Sequence, residues 1–296
     1  MSASTFADFG ILIRPTGPVE QRLPCPQCDR GSRDDALGVN VETGTFHCFR
    51  CGWAGHADIG ETRAASVTRL DEPNRAERVK ERLRRVWADT LPLDHPKARP
   101  VRQYLAARGL TQILQDAPAC LRAHPGLAYF DGVARREIGT FPAMVAAFFG
   151  RDGGHTTIHA TYLRQDGCAK APVSSPKKIL GVPTRGATKG GAIRLYAPRD
   201  GLLGVAEGIE TALSLYLIRR VPTWASFCAD NLARMVVPEG LTKLEIGVDV
   251  DESGAGERAA KSLARRAVRL GLKVSLITPE GDGPRDLNDE LRRRAG

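Results

Sequence analysis

The most regular hydrophobic pattern lies after residue 200, where short apolar runs alternate with helix-like segments. The runs LLGVA, PTWASF, LEIGVDV and KVSLITP have the length and composition of strands. In the segment GERAAKSLARRAVRL, the residues expected to face inward recur at helical spacing, namely Ala260, Leu263, Ala264, Ala267 and Val268. This alternation predicts a mostly parallel sheet covered by helices. Ligand sites in such sheets lie at the carboxyl ends of the strands.

The chain before residue 200 has a different pattern, and it divides into three further predicted parts. Residues 1–60 hold two cysteine pairs among glycines and turn residues and are predicted to be a small separate domain. Residues 61–114 are charged and helical in pattern, with a break at PLDHPKARP, and are predicted to be a helical linker. Residues 115–199 contain the strand-like runs FPAMVAAFF and HTTIHATYL, which predict an α+β subdomain before the α/β part at 200–296.

The composition favours a folded protein with a polyanionic partner. Apolar residues make up 42% of the 296 residues, enough for a sizeable core. Lys and Arg number 43 against 34 Asp and Glu, so the net charge is +9; the alternative is a basic surface that serves solubility alone. No apolar window is long enough to span a membrane, and the N-terminus lacks a signal-peptide pattern. We therefore expect a cytoplasmic location and no membrane partner.

Four of the seven cysteines form two closely spaced pairs, Cys25-x-x-Cys28 and Cys48-x-x-Cys51. Two residues between cysteines let one turn direct both sulfurs at one ion, and two such turns complete a tetrahedron around zinc. We predict a zinc ribbon with one structural Zn²⁺. A closed site of four thiolates leaves no open coordination position, so no catalytic role is expected for it.

Acidic residues recur where the predicted C-terminal strands end. In chain order they are Glu207, Glu210, Asp249, Asp251, Asp286 and Asp289. Carboxylates that meet at one edge of a sheet repel each other, and their pKa values rise unless a cation compensates. Mg²⁺ or Mn²⁺ relieves that repulsion, and two such ions can align an attacking oxygen with a leaving phosphate. We predict a catalytic metal site here; the alternative is that Asp251 and its neighbours only cap the following helix.

The segment 169–199 contains no acidic residue and lies directly before the predicted acidic edge. Glycines among its cations permit a close approach of the backbone to phosphates. No Gly-Lys-Ser or Gly-Lys-Thr sequence ends the glycine-rich stretch, so a P-loop is excluded. We predict a groove for nucleic-acid or nucleotide phosphates, with a solvated loop as the alternative. The predicted binding residues are Lys177, Lys178, Arg185, Lys189 and Arg194.

These motifs carry a resemblance to a known family. VAEGIETALS, GVDVDESGAGERAA and DLNDEL resemble the Toprim domain, which bacterial DnaG-type primases share with topoisomerases and some nucleases and recombination proteins. The CPQC…CFRCGWAG ribbon is similar to the zinc-binding domain of those primases, and VRQYLAARGL resembles a segment before their catalytic core. The combination resembles the compact primase-like proteins of plasmids, phages and other mobile elements.

The resemblance implies roles for individual residues. Glu207 matches the glutamate near the metal and the nascent bond, and Asp249 and Asp251 match the metal-binding DxD pair. Glu210 stands where family members often have Asp and is implied to bind Mg²⁺. Asp286 falls in a further acidic motif and is also implied to bind the metal. The primase ribbon typically includes a histidine ligand, whereas both pairs here are cysteines.

The implied fold is an α/β Toprim core, Rossmann-like with a mostly parallel sheet, joined to an α+β basic subdomain and preceded by a small zinc ribbon. The implied function is a DNA primase that makes short RNA primers on a single-stranded DNA template from nucleoside triphosphates by two-metal nucleotidyl transfer. Catalysis falls to Glu207, Asp249 and Asp251, and a separate replicative helicase or initiator is an implied partner. The alternatives are a non-catalytic binding protein of the recombination-mediator type and a Toprim nuclease.

Overall fold

The computed structural model describes residues 5–15, 17–28, 35–59, 75–131, 136–184 and 186–295. The chain divides into two compact units, Met1–Glu72 and Pro73–Gly296. The four-part division expected from the sequence stays a prediction, and the part of the linker before residue 75 lies outside the described residues.

The first unit contains a four-stranded antiparallel sheet in the order β1-β2-β3-β4. Its strands are β1 (Glu20–Leu23), β2 (Leu37–Asn40), β3 (Thr45–Cys48) and β4 (Ala54–His56). The core is small and rests on aromatic packing: the Phe46 ring lies 4.9 Å from that of Phe9 and 4.7 Å from that of Trp53, centroid to centroid. A sheet this small needs further stabilisation, and the cysteine cluster described below is placed to provide it.

The second unit begins with helices and an antiparallel sheet in the order β5-β6-β7-β8. The helices are α1 (Arg75–Ala88) and α2 (Arg99–Ala107), and the strands are β5 (Leu121–Asp131), β6 (Arg136–Phe149), β7 (His155–Tyr162) and β8 (Lys177–Ile179). Side chains alternate across the sheet, so one face packs against α1 around Leu83 and Tyr129. The other face packs with α2 and the next sheet around Leu105 and Phe148.

The C-terminal part is a five-stranded sheet in the order β13-β12-β10-β11-β9. Its strands are β9 (Ile193–Arg194), β10 (Leu202–Ala206), β11 (Thr223–Ala225), β12 (Lys243–Gly247) and β13 (Lys273–Ile277). All neighbouring pairs are parallel except the edge strand β9, which is antiparallel to β11. The helices are α3 (Ile209–Arg219), α4 (Ala229–Arg234), α5 (Ala255–Arg269) and α6 (Leu287–Ala295). The predicted fold class is therefore confirmed.

One detail of the predicted helix face is wrong. Val268 of α5 is 58% exposed, whereas Leu263 and Ala267 are fully buried. At about 100° per residue, Val268 lies roughly 120° from the centre of the buried stripe, beyond the part that faces the sheet. No helix in the described ranges is long and apolar enough to cross a bilayer.

Candidate functional site

The four cysteines of the first unit come together at the turns that flank β1 and β3. The sulfur of Cys25 lies 3.8 Å from that of Cys51, and the sulfur of Cys28 lies 3.8 Å from that of Cys48. All four sulfurs lie within 4.8 Å of one another. A zinc ion with Zn–S bonds of about 2.3 Å requires tetrahedral sulfurs about 3.8 Å apart, so the cluster fits the predicted zinc site.

The local backbone also favours metal binding by these thiols. Burial raises the pKa of Cys48, but backbone hydrogen bonds from Cys51 and Arg50 oppose it and bring that pKa down to about 7. A thiol with this pKa loses its proton easily, and zinc binds the thiolate form.

Outside the core of this unit, Phe49 is 63% exposed, and the guanidinium carbon of Arg22 lies 4.1 Å from the ring centroid of Phe49.

The acidic residues of the second unit gather at the carboxyl ends of β10 and β12. These strands are parallel neighbours, so Glu207 after β10 and Asp249 after β12 leave the sheet at the same edge. Val250 and Arg285 exchange backbone hydrogen bonds of 2.9 and 2.8 Å, which brings the turn that carries Asp286 beside Asp249. The fold therefore assembles Glu207, Asp249 and Asp286, far apart in sequence, into one cluster, which we call the acidic edge.

Asp249 is the least satisfied member of the acidic edge. Burial, with additional repulsion from Glu207 and Asp286, raises its pKa to about 7. Its Oδ1 is buried and has no hydrogen-bond partner among the described residues. The pKa of Glu207 is also raised, by burial and by Asp251. A buried carboxylate oxygen without a partner, surrounded by other carboxylates, fits a divalent cation as ligand. The acidic side chains are nevertheless spread more widely than the cysteines, which form the one group in the described part of the chain with ligand atoms all within 4.8 Å.

Asp251 has a structural task, as the capping alternative anticipated. Its Oδ1 accepts hydrogen bonds from the amide and hydroxyl of Ser253, the amide at 2.7 Å, and its Oδ2 accepts one from Gly256 N at 3.0 Å. The side chain thus caps the N-terminus of α5. Gly256 is required there because a Cβ would lie 2.2 Å from the carbonyl oxygen of Asp249. Metal binding by Asp251 stays a prediction.

Asp286 forms a reciprocal cap with Asp289 at the start of α6. Asp286 Oδ1 accepts hydrogen bonds from the amides of Asn288 (2.7 Å) and Asp289 (3.0 Å). The amide of Asp286 donates to Asp289 Oδ2 at 3.2 Å. This arrangement is a capping box. It fixes the position of Asp286, whose role as a metal ligand also stays a prediction.

Glu210 is buried, and both of its carboxylate oxygens have strong partners. Tyr104 donates its hydroxyl proton to Oε1 at 2.6 Å, and Lys177 Nζ donates to Oε2 at 2.8 Å. Burial raises the pKa of Glu210, but Lys177 and Tyr104 outweigh it and hold the pKa well below the ordinary value. In this structure Glu210 anchors Lys177 beside the acidic edge, and the binding of Mg²⁺ by Glu210 stays a prediction.

The predicted phosphate-binding residues do not share one surface. Lys177 points to Glu210, while Lys178, the next residue in β8, lies on the other face of the sheet, where its Nζ donates to the Phe130 carbonyl at 2.6 Å. Arg194 packs over the rings of Phe149 and Trp224. Lys189 is exposed in a turn, and Arg185 lies outside the described residues.

Two residues near the acidic edge were not predicted. Burial and the nearby charge of Lys177 lower the pKa of Lys170, while Glu210 and Asp286 oppose that effect, so Lys170 lies among these groups. Tyr104 comes from α2 and reaches Glu210 across 106 positions of sequence. Lys170 belongs to the segment 169–199, which contains no acidic residue, so its charge could have been used to predict a position near phosphates. Nothing in the local sequence around Tyr104 indicates its partner.

Two family models match parts of the second unit. The Toprim domain family model matches residues 202–296. A second family model, a domain of unknown function (DUF7146), matches residues 77–190. No curated protein sequence matches the chain. The predicted resemblance to the Toprim domain is thereby confirmed for the sheet that carries the acidic edge.

Several solved primase structures are similar in fold. The primase fragment of the bacteriophage T7 primase-helicase protein is 13% identical, with 93% of this chain and 95% of that chain covered and a TM-score of 0.39. The Aquifex aeolicus primase, comprising zinc-binding and RNA polymerase domains, is 16% identical, with 95% and 77% covered and a TM-score of 0.41. The E. coli primase catalytic core is 16% identical, with 75% and 76% covered and a TM-score of 0.45. At this level the matches describe a likeness of fold and not an activity.

Proposed function

We propose that this chain, whose residues 202–296 form a Toprim domain, is a primase that synthesises short RNA on single-stranded DNA. The reaction is nucleotidyl transfer: a 3′-hydroxyl oxygen attacks the α-phosphorus of a nucleoside triphosphate, a new phosphodiester bond forms, and pyrophosphate leaves. The observation that supports this proposal most is the buried Oδ1 of Asp249, which has no hydrogen-bond partner in the described ranges and lies beside Glu207 and Asp286.

In this proposal the carboxylates of the acidic edge bind the metal ion, and nearby lysines attract the phosphates. Asp249 and Glu207 hold Mg²⁺ or Mn²⁺, with Asp251 and Asp286 as further ligands. Such an ion, when bound, supplies the Lewis acid for attack at the α-phosphate. Lys177 and Lys170 place positive charge beside the acidic edge and would attract the triphosphate. Glu207, whose pKa burial raises, serves either as a ligand or as the acceptor of the hydroxyl proton.

In the same proposal, the first unit binds the DNA template. Zinc at the four cysteines holds the small sheet together, and the exposed Phe49 with Arg22 above it offers an aromatic and cationic contact for a base. A separate replicative helicase or initiator is the further partner that we propose for the chain.

Primer synthesis tests this function directly. Zinc-loaded protein is incubated with single-stranded DNA of several sequences, all four ribonucleoside triphosphates, and Mg²⁺ or Mn²⁺, and products are resolved on a denaturing gel. We expect short oligoribonucleotides from the wild type, none from Asp249→Asn, and unchanged products from Asp200→Asn, which removes an exposed carboxylate just before β10, at the opposite end of that strand from the acidic edge. Inactivity of the wild type across ions and templates would contradict the proposal.

The same reactions discriminate the alternatives. A Toprim nuclease would shorten an end-labelled strand in the absence of nucleotides, and this cleavage would depend on Asp249. A non-catalytic binding protein would retain the strand without making or cutting it, and its affinity would be insensitive to Asp249→Asn.

A further inference from the structure

A cavity of about 920 Å³ lies where α1 meets the far end of the antiparallel sheet. Its wall comes from α1, from the hairpin between β6 and β7, and from the segment that leads into β9. None of the acidic-edge residues lines it. Along β7, His155 in the cavity wall lies six positions before Thr161, the partner of Lys177. At about 3.4 Å per residue, this part of the wall lies roughly 20 Å from the backbone of Lys177.

Three aromatic rings form part of the cavity wall. The ring of His155 lies 6.0 Å from that of Trp87 and 5.8 Å from that of Phe149, centroid to centroid, and neither pair is parallel. Trp87 and Phe149 are half-buried, and His155 is exposed. Although His155 is exposed, partial desolvation by the neighbouring protein atoms lowers its pKa and so favours the uncharged aromatic ring. Every nucleobase has a flat face that can stack on such rings.

Cationic side chains also line the cavity. Lys80 and Arg84 lie one helical turn apart on the same face of α1, and Arg194 contributes a guanidinium 5.6 Å from the Phe149 centroid. Among the described residues of the lining, Asp152 is the one carboxylate, so positive charge prevails there. Lys80 and Arg84 pair with Glu77 and Glu81 at 2.7 and 3.6 Å, but these pairs are exposed. Exposed ion pairs are weak, and both cations remain able to bind a phosphate.

We propose that this cavity holds a base of a single-stranded nucleic acid, with the adjoining phosphates on Lys80 and Arg84. Its volume falls in the range of about 300–1,000 Å³ that is usual for ligand sites. A strand fits better than a free nucleotide because none of the acidic-edge residues lines the cavity, whereas a strand can occupy both places at once. This proposal rests on the proposed function in one respect: we take the bound strand to be the template for primer synthesis.

Binding without catalysis tests the base contact. The affinity of a fluorescent single-stranded oligonucleotide is measured by anisotropy, without nucleotides and without added Mg²⁺. We expect Trp87→Leu and His155→Ala each to weaken binding roughly tenfold. With an abasic oligonucleotide of equal length, the wild type and both variants should bind alike. Because His155 is exposed, its variant keeps the test valid if Trp87→Leu does not fold. Affinity within twofold of the wild type for His155→Ala and for every folded Trp87 variant would overturn the proposal.

The phosphate contacts have a matched control on the same helix. The double variant Lys80→Ala, Arg84→Ala removes two cavity cations, whereas Arg82→Ala, Arg85→Ala removes two cations of α1 outside the cavity lining. The slope of log affinity against log salt should fall by about 1.4 for the first variant and stay nearly constant for the second. Equal slopes for the two double variants would overturn the proposal.

Two further outcomes distinguish strand binding in the cavity from mononucleotide binding there and from primer synthesis. Competition by a free nucleoside triphosphate that depends on Trp87 would reassign the cavity to a mononucleotide and overturn the strand proposal. Trp87-dependent strand binding by a protein that makes no primers would support the cavity assignment while contradicting the proposed function.

Discussion

Replacing Asp249 with asparagine is expected to abolish activity and, without divalent metal, to stabilise the protein. The charged carboxylate of Asp249 is buried near Glu207 and Asp286, and its Oδ1 has no partner in the described part of the chain. Asparagine has nearly the same shape but no charge to bury. The substitution therefore removes the repulsion that makes the metal-free site unfavourable.

The magnitude follows from the pKa of Asp249. Its rise from 3.8 to about 7 corresponds to roughly three pKa units, or up to about 4 kcal/mol at ~1.36 kcal/mol per unit. The folded pKa lies above the unfolded one, so the folded state binds more protons between about pH 4 and pH 7. The stability of the wild type relative to Asp249→Asn therefore falls as pH rises through that window. The amount by which the free energy of unfolding of Asp249→Asn exceeds that of the wild type should be greatest at pH 8 and less than half as large at pH 5.

Urea denaturation in buffer free of added divalent ions provides the assay, with zinc left bound. Asp249→Asn should raise the free energy of unfolding at pH 8 by at least 1 kcal/mol, while the exposed control Asp200→Asn should leave it unchanged. Mg²⁺ at 100 times its dissociation constant should stabilise the wild type by about 2.7 kcal/mol and the Asp249 variant hardly at all. If the variant is less stable than the wild type at pH 8, or if Mg²⁺ stabilises both equally, the proposed metal site is refuted.

Three other predictions concern the elements that hold the sites in place. Cys28→Ser, or removal of zinc with a chelator, should unfold the first unit while residues 75–295 stay protected from hydrogen exchange, because a sheet this small depends on its metal. Tyr104→Phe removes a 2.6 Å hydrogen bond to the charged Glu210 and should lower the free energy of unfolding by about 2 kcal/mol, measured in urea. Gly256→Ala would place a Cβ 2.2 Å from the Asp249 carbonyl, so primer synthesis should be lost while circular dichroism shows a folded protein.

The sequence was sufficient to predict the parts of the structure that depend on local pattern. Alternating runs predicted the parallel sheet, and parallel strands bring their carboxyl ends together, so the proximity of Glu207 to Asp249 followed from topology. The cysteine spacing predicted the cluster because ligand geometry is set within each short turn. The capping role of Asp251 was open to prediction for the same reason, since all its hydrogen-bond donors lie within five residues.

Long-range pairing could not be predicted in this way. The hydrogen-bond partners of Glu210, for example, lie 106 and 33 positions away in sequence. The grouping of Lys177 with Lys178 overlooked β8, a strand of three residues in which successive side chains point to opposite faces. The aromatic cavity was missed because Trp87 and His155 belong to different elements, and their meeting depends on how α1 packs against the sheet.

The bond between Glu210 and Lys177 explains how charge is distributed around the acidic edge. Glu210 and Lys177 neutralise each other at 2.8 Å, so the carboxylate of Glu210 adds little to the repulsion at Asp249. Burial is the main cause of the raised pKa values of Glu207, Asp249 and Asp286, and repulsion from neighbouring carboxylates that lack a paired cation adds to it. A divalent cation is the kind of ligand that such carboxylates favour. Tyr104, by fixing Glu210, also fixes Lys177, so α2 and β8 determine the charge beside a site that the C-terminal sheet carries.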